Sequence, residues 1–125
     1  MGPLEGILAS LEDELKDSLV STFIWSNKEK KIVAGKNFHK KGGILISELT
    51  YKIEKLLHDG NFPKIGDYYL FDLKNDKKLV VIPNDHYQWS ILFDSVKIPL
   101  GLFLNVILPE MIKKFNNIFK EDNRK

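Results

Sequence analysis

The chain has 125 residues, a formal net charge of +2 and no cysteine. That length makes one domain, and the missing cysteine excludes disulfide staples, thiolate metal sites and a cysteine nucleophile. A hydrophobic share of 43% is enough for a packed core, and the near-neutral charge demands no nucleic-acid partner.

Leu4, Ile7, Leu8, Leu11 and Leu15 recur at helical spacing and share one stripe. Pro3 suits a first helical position, and Glu5 lies where the helix dipole favours an anion. Ser18 to Trp25 then switches to strand chemistry with Leu19, Val20, Thr22, Phe23, Ile24 and Trp25. A polar turn, Asn27 to Lys30, leads to a second strand at Lys31 to Lys36, so the two form a hairpin. Asn37 to Gly43 reads as a basic loop. A second helix follows, from about Gly43 to His58. In it Leu45, Ile46, Leu49, Ile53, Leu56 and Leu57 fall within an arc of about 120°. Gly60 and Pro63 mark its end.

Three strands come next: Ile65 to Leu73, Lys78 to Pro83 and His86 to Asp94. Their short connections make antiparallel hairpins. The last element is a helix from about Pro99 to Lys120, with Pro109 inside it as a kink or break. Residues 121–125 read as a polar tail, so a single domain spans 1–125 with its core in 4–120. Several strands are apolar on both faces: Tyr68 to Phe71, Leu79 to Ile82 and Ile91 to Phe93. A sheet wet on one side would alternate. The fold class is therefore α/β (α+β), with helices covering both faces of an antiparallel sheet.

The N-terminus lacks the basic segment of a secretion signal. The most apolar stretch, Ile98 to Pro109, is shorter than the ~18 residues of a membrane span. Cytoplasmic residence without membrane insertion is the expectation. His39, His58 and His86 are scattered, and no two have the spacing of helical metal ligands. Asp85-His86 sits in a hairpin turn with no nucleophile beside it. Asp67, Asp72 and Asp94 lie on strands or at their ends, where aspartates face water or cap turns. No catalytic residue, metal or cofactor is assigned, and the chain is read as a non-enzyme.

The sharpest charge feature is the stretch 28–41, where Lys28, Lys30, Lys31, Lys36, Lys40 and Lys41 oppose only Glu29. With Gly42 and Gly43 opening a helix, Lys36, Lys40 and Lys41 offer a contact for an anionic ligand or an acidic protein. The stretch is not a Walker motif. Phe38 is its only aromatic, which is too few for a nucleic-acid platform. A second feature is the strand at Ile65 to Leu73. It has no internal lysine or proline, so at a sheet edge it would be a pairing hazard that needs a partner strand. Lys31 to Lys36 is short and flanked by lysine, as a protected edge is.

The order α-β-β-α-β-β-β-α, and the closing run Phe93-Asp94 followed by Pro99-Leu100-Gly101-Leu102, resemble the roadblock/dynein-light-chain family over about residues 4–120. Pro99 stands where that family commonly has asparagine. Lys16 to Leu19 and Asn27 to Lys30 lack its usual glycines. The resemblance implies a five-stranded antiparallel sheet in the order 2-1-5-4-3, with the second helix on one face and the first and third on the other. It implies a homodimer in which third strands pair and second helices lie side by side. Tyr68, Leu70, Ile46, Thr50 and Leu57 would then be at the dimer surface. It also implies a non-catalytic module that regulates or scaffolds a small Ras-like GTPase. The alternative is the anionic-ligand module built on the basic stretch.

Overall fold

The structure is a computed structural model that describes residues 2–124, with side chains described for 2–118. Helix α1 (Pro3–Leu15) has proline in its first turn and buries Ile7, Leu8, Leu11 and Leu15, the stripe read from their spacing. A 3-10 turn, Lys16–Ser18, delivers the chain to β1 (Leu19–Ser26). Strand β2 (Lys31–Lys36) returns antiparallel to β1. The turn between them closes when Lys30 N–H donates to the Ser26 carbonyl at 2.9 Å. Helix α2 covers Lys40–Asp59. Strands β3 (Tyr69–Asp72), β4 (Lys77–Pro83) and β5 (Tyr87–Asp94) follow. Helix α3 covers 100–124.

The five strands pair antiparallel in the order β2-β1-β5-β4-β3. Connections of a few residues leave no other option for β1–β2, β3–β4 and β4–β5. The larger core lies between the sheet and the α1/α3 layer. There Ile24, Ile82, Trp89, Ile91 and Phe93 meet Leu11, Phe103, Leu108, Met111 and Phe115. Inside it Trp89 Nε1 donates to Thr22 Oγ1 at 2.8 Å, and that hydroxyl donates to the Ser90 carbonyl, so no polar atom of the pair is stranded. The smaller core is on the opposite face, where Phe23, Trp25 and Val81 meet Ile46 of α2.

Four boundaries differ from the sequence reading. Strand β3 starts at Tyr69, and the segment from Ile65 to Tyr68 forms no ladder. Helix α2 starts at Lys40 because His39 caps it: its Nδ1 accepts from Lys41 N–H at 3.2 Å. Pro109 does not kink α3 into two pieces. Instead a π segment, Phe103–Ile107, separates the opening turn Leu100–Leu102 from Leu108–Arg124, and Leu108 N–H bonds back five residues to the Phe103 carbonyl. The wider turn sits just ahead of Pro109, whose ring would press on the carbonyl four residues back. The tail 121–125 is helical through Arg124, while its side chains, including the chain's only arginine, lie outside the described residues.

No helix among the described residues is long and apolar enough to cross a membrane.

Candidate protein interface

Helix α2 is covered along one narrow line only. Of its twenty residues only Gly43, Ile46 and Thr50 are buried, a line at three- and four-residue spacing that faces the sheet. The line is tight at its start. A Cβ on Gly43 would stand 2.8 Å from both Ile32 Cγ1 and Trp25 Cε3. About a quarter-turn round the helix lie Leu45, Leu49 and Leu56. Leu49 packs at the margin of the smaller core, but Leu45 is 61% and Leu56 69% exposed. Two of the six residues of the apolar arc read from the sequence therefore have little over them.

This bare flank is continuous with β3 through the smaller core, since Leu49, Tyr69 and Leu79 all pack against the same cluster. Tyr69 and Phe71 face α2 and meet edge-on, ring centroids 5.4 Å apart. Thr50 and Tyr69 share a hydrogen bond of 2.5 Å that joins the helix to the strand. Burial pushes the Tyr69 phenol above its ordinary pKa, and Glu54 adds to this, while the Thr50 bond pulls the other way. Strand β3 is an outermost strand, paired on one side only by β4.

The dimer residues read from the sequence divide accordingly. Ile46 and Thr50 are each 4% exposed and are used within the protomer, so neither presents a surface to a partner. Leu57 is half-buried. Leu70 points to the opposite face and packs against the α1/α3 core. Tyr68 precedes the strand and is exposed. Leu45 and Leu56 are bare apolar residues of α2 that the sequence reading did not single out. Their apolar character was visible in the sequence, but their lack of cover was not.

The basic residues do not assemble the expected helix-start cradle. Lys36 Nζ is paired with Glu12 at 2.7 Å across to α1. Lys40 and Lys41 lie in the first turn of α2, where His39 already accepts from the amides of Lys41 and Gly42. Gly42 and Gly43 fall inside that turn, and Gly43 is buried by packing. Asp94 sits below the ordinary carboxylate value of 3.8, chiefly because it accepts from Val96 N–H and also because Lys77 stands 3.5 Å away. No group of three or more His, Asp or Glu among the described residues is placed to hold a metal ion.

No protein-family model matches the sequence, and no curated protein matches it. Solved structures do match. Myxococcus xanthus MglB superposes with a TM-score of 0.78 at 11% identity, over 95% of this chain and 89% of that one. The gliding protein MglB of Thermus thermophilus gives 0.71 at 16% identity, over 97% and 93%. A Roadblock/LC7 domain from Streptomyces avermitilis gives 0.63 at 10% identity, over 92% and 96%. The fold is that of a roadblock/LC7 domain. The roadblock/LC7 likeness spans nearly the whole chain, and at these identities it is a likeness of backbone architecture. It places α2 and β3 of this chain in a shared frame with the MglB structures.

Proposed function

We propose that the chain is a non-catalytic, cytoplasmic homodimeric module that binds a small Ras-like GTPase and regulates or scaffolds it. The observation that carries the dimer is the joint exposure of the α2 flank and the β3 edge. An apolar helix flank beside an unpaired strand is a liability in a monomer. A two-fold axis through β3 relieves both at once, because β3 pairs with its copy and α2 packs on its copy. Leu45, Leu56, Phe71 and Tyr68 would form that interface, with Leu57 beside them.

The GTPase half of the reading draws on the resemblance to roadblock proteins and on the likeness to MglB. This chain supplies no arginine among its described side chains, so stimulation of hydrolysis would act by reshaping the GTPase's own switch segments.

Two measurements test the halves separately. Sedimentation equilibrium should give about 29 kDa, twice the 14.5 kDa of one chain. A stable monomer overturns the dimer. Binding of purified small Ras-like GTPases from the same genome, loaded with GTP or GDP, tests the partner. No binding in either state overturns the GTPase assignment and leaves the dimer standing.

A further inference from the structure

The phase of the β3–β4 ladder decides which backbone groups of β3 are open. Leu73 N–H donates to the Lys77 carbonyl at 2.9 Å, in the same register that sets Asp72 against Lys78. Bonded and non-bonded pairs alternate along an antiparallel ladder. Tyr69 and Phe71 therefore exchange bonds with Val81 and Leu79, while Leu70 and Asp72 turn their N–H and C=O groups away from β4. The β4–β5 ladder has the matching phase. Ser95 N–H donates to the Asp76 carbonyl at 2.8 Å, so the even-numbered residues of β4 bond to β5 and the odd-numbered ones serve β3. Asp67, the next inward position, would face Pro83, which has no N–H to give, and the strand stops short of it. Tyr68 between them keeps the outward phase, and among the described residues it makes no backbone hydrogen bond.

The open edge thus presents the backbone of Tyr68, Leu70 and Asp72, and a copy paired by a two-fold axis presents the same three. Outward groups meet outward groups only when even-numbered positions oppose even-numbered ones, which leaves a few possible axes. With Asp72 on the axis, two carboxylates stand opposite each other. With Phe71 there, Leu70 meets the partner's Asp72 and Tyr68 runs into the partner's Lys74, in the turn beyond the strand. With Tyr69 there, Asp72 runs off the other end to the partner's Gly66. With Leu70 there, Leu70 faces Leu70 of the partner subunit and Tyr68 faces the partner's Asp72. Every outward group of the three residues then has a mate. The non-bonded pair beside the axis is Tyr69 against the partner's Phe71, on the α2 side where the two rings of one chain already meet edge-on. Side chains come closest at such pairs, and aromatic pairs there are favourable.

We propose that β3 accepts a second copy in one register only, with Leu70 on the two-fold axis. This rests on the homodimer reading and adds to it the residue about which the two sheets join. The two five-stranded sheets become one continuous sheet. The paired Leu70 side chains lie on its α1/α3 side, where Leu70 already packs on the larger core, and the aromatic pairs lie on its α2 side. The register also selects the partner. A foreign strand needs an apolar residue opposite Leu70 and no acid opposite Asp72 to use the same edge.

The chain has no cysteine, so single introduced cysteines report the register by disulfide formation under mild oxidation. Opposed residues of a bonded pair have Cα atoms about 5.5 Å apart, within the reach of a disulfide. Leu70→Cys should link to its own copy. Tyr68→Cys and Asp72→Cys should each fail to link alone, because each stands about 13 Å from its own copy at the strand rise. Refolded together, these two variants should give a linked heterodimer about tenfold above either one alone. Tyr68 and Asp72 are exposed, so this arm stands even if Leu70→Cys folds poorly. Sedimentation equilibrium of the reduced proteins separates the two ways of failing. A dimer by mass in which the mixed variants do not link overturns the register and leaves the dimer. So does a dimer that links best between Leu70→Cys and Asp72→Cys, which moves the axis to Phe71. A monomer by mass overturns both.

Discussion

Thr50 Oγ1 and Tyr69 Oη stand 2.5 Å apart and tie helix α2 to the outermost strand β3. Thr50 is 4% exposed, so its hydroxyl has little access to water if the phenol is removed. Tyr69→Phe should lower unfolding stability by about 1–3 kcal/mol, the usual cost of stranding a buried hydroxyl. The double variant Thr50→Val/Tyr69→Phe should lose less than the two single losses combined, because the second change removes the stranded group. Urea unfolding of the four proteins measures both effects.

The same tyrosine sets an alkaline limit. Its pKa is raised above 10.0, first by burial. The folded protein therefore holds the phenolic proton more tightly than the unfolded chain does. That contribution is full below the unfolded value and is lost as pH rises through the folded one. Stability should fall with a steeper slope above about pH 10 in the wild type than in Tyr69→Phe. Asp94 works in the opposite direction. Its lowered pKa makes a contribution that is present above 3.8 and lost as pH falls through the folded value. Asp94→Asn should flatten the acid limb of the same unfolding profile.

Adjacent glycines in α2 should respond with opposite signs. A Cβ on Gly43 meets Trp25 and Ile32 at 2.8 Å, both inside the smaller core, whereas a Cβ on Gly42 meets Phe23 Cε2 at 3.6 Å, an ordinary contact. Gly42→Ala should gain up to about 1 kcal/mol from helix propensity. Gly43→Ala has the same gain available, but overpacking of about 1–3 kcal/mol outweighs it. Thermal melting of the two variants should move up for Gly42→Ala and down for Gly43→Ala.

Leu45 and Leu56 are exposed in the protomer, so charging them leaves its own core intact. Leu45→Glu/Leu56→Glu should melt as a folded protein with unchanged far-ultraviolet circular dichroism. Its mass in solution should fall from about twice to once 14.5 kDa. A double variant that keeps the doubled mass would place the interface elsewhere.

The strand order came only from the resemblance, but the layering was legible because strands such as Leu79 to Ile82 and Ile91 to Phe93 are apolar at every position. Only a sheet covered on both faces accounts for that. The same property hid the facing of β3. In Tyr68-Tyr69-Leu70-Phe71 no alternation tells which pair looks toward α2, and the structure gives that role to Tyr69 and Phe71. The start of α2 lies ahead of where periodicity puts it because His39 is not among the usual capping residues. Apolar periodicity located Leu45 and Leu56 on one arc, but cover depends on what the sheet can reach, and α2 touches it along a single line. Side-chain bonds across the sheet left no local trace, since Gln88 and Asn27, which bond at 2.9 Å, are 61 positions apart.

The two margins of the sheet are not alike. Strand β2 begins and ends in lysine, and its ladder with β1 slips at Val33, where Ile24 pairs with Ala34 and Trp25 with Ile32. Slips and terminal charges turn neighbours away. Strand β3 has neither a slip in its register with β4 nor a lysine of its own. A ribbon receptive on one border alone is complete after one joining event. Growth into a fibril would need both borders, so the asymmetry itself is a safeguard against polymerisation.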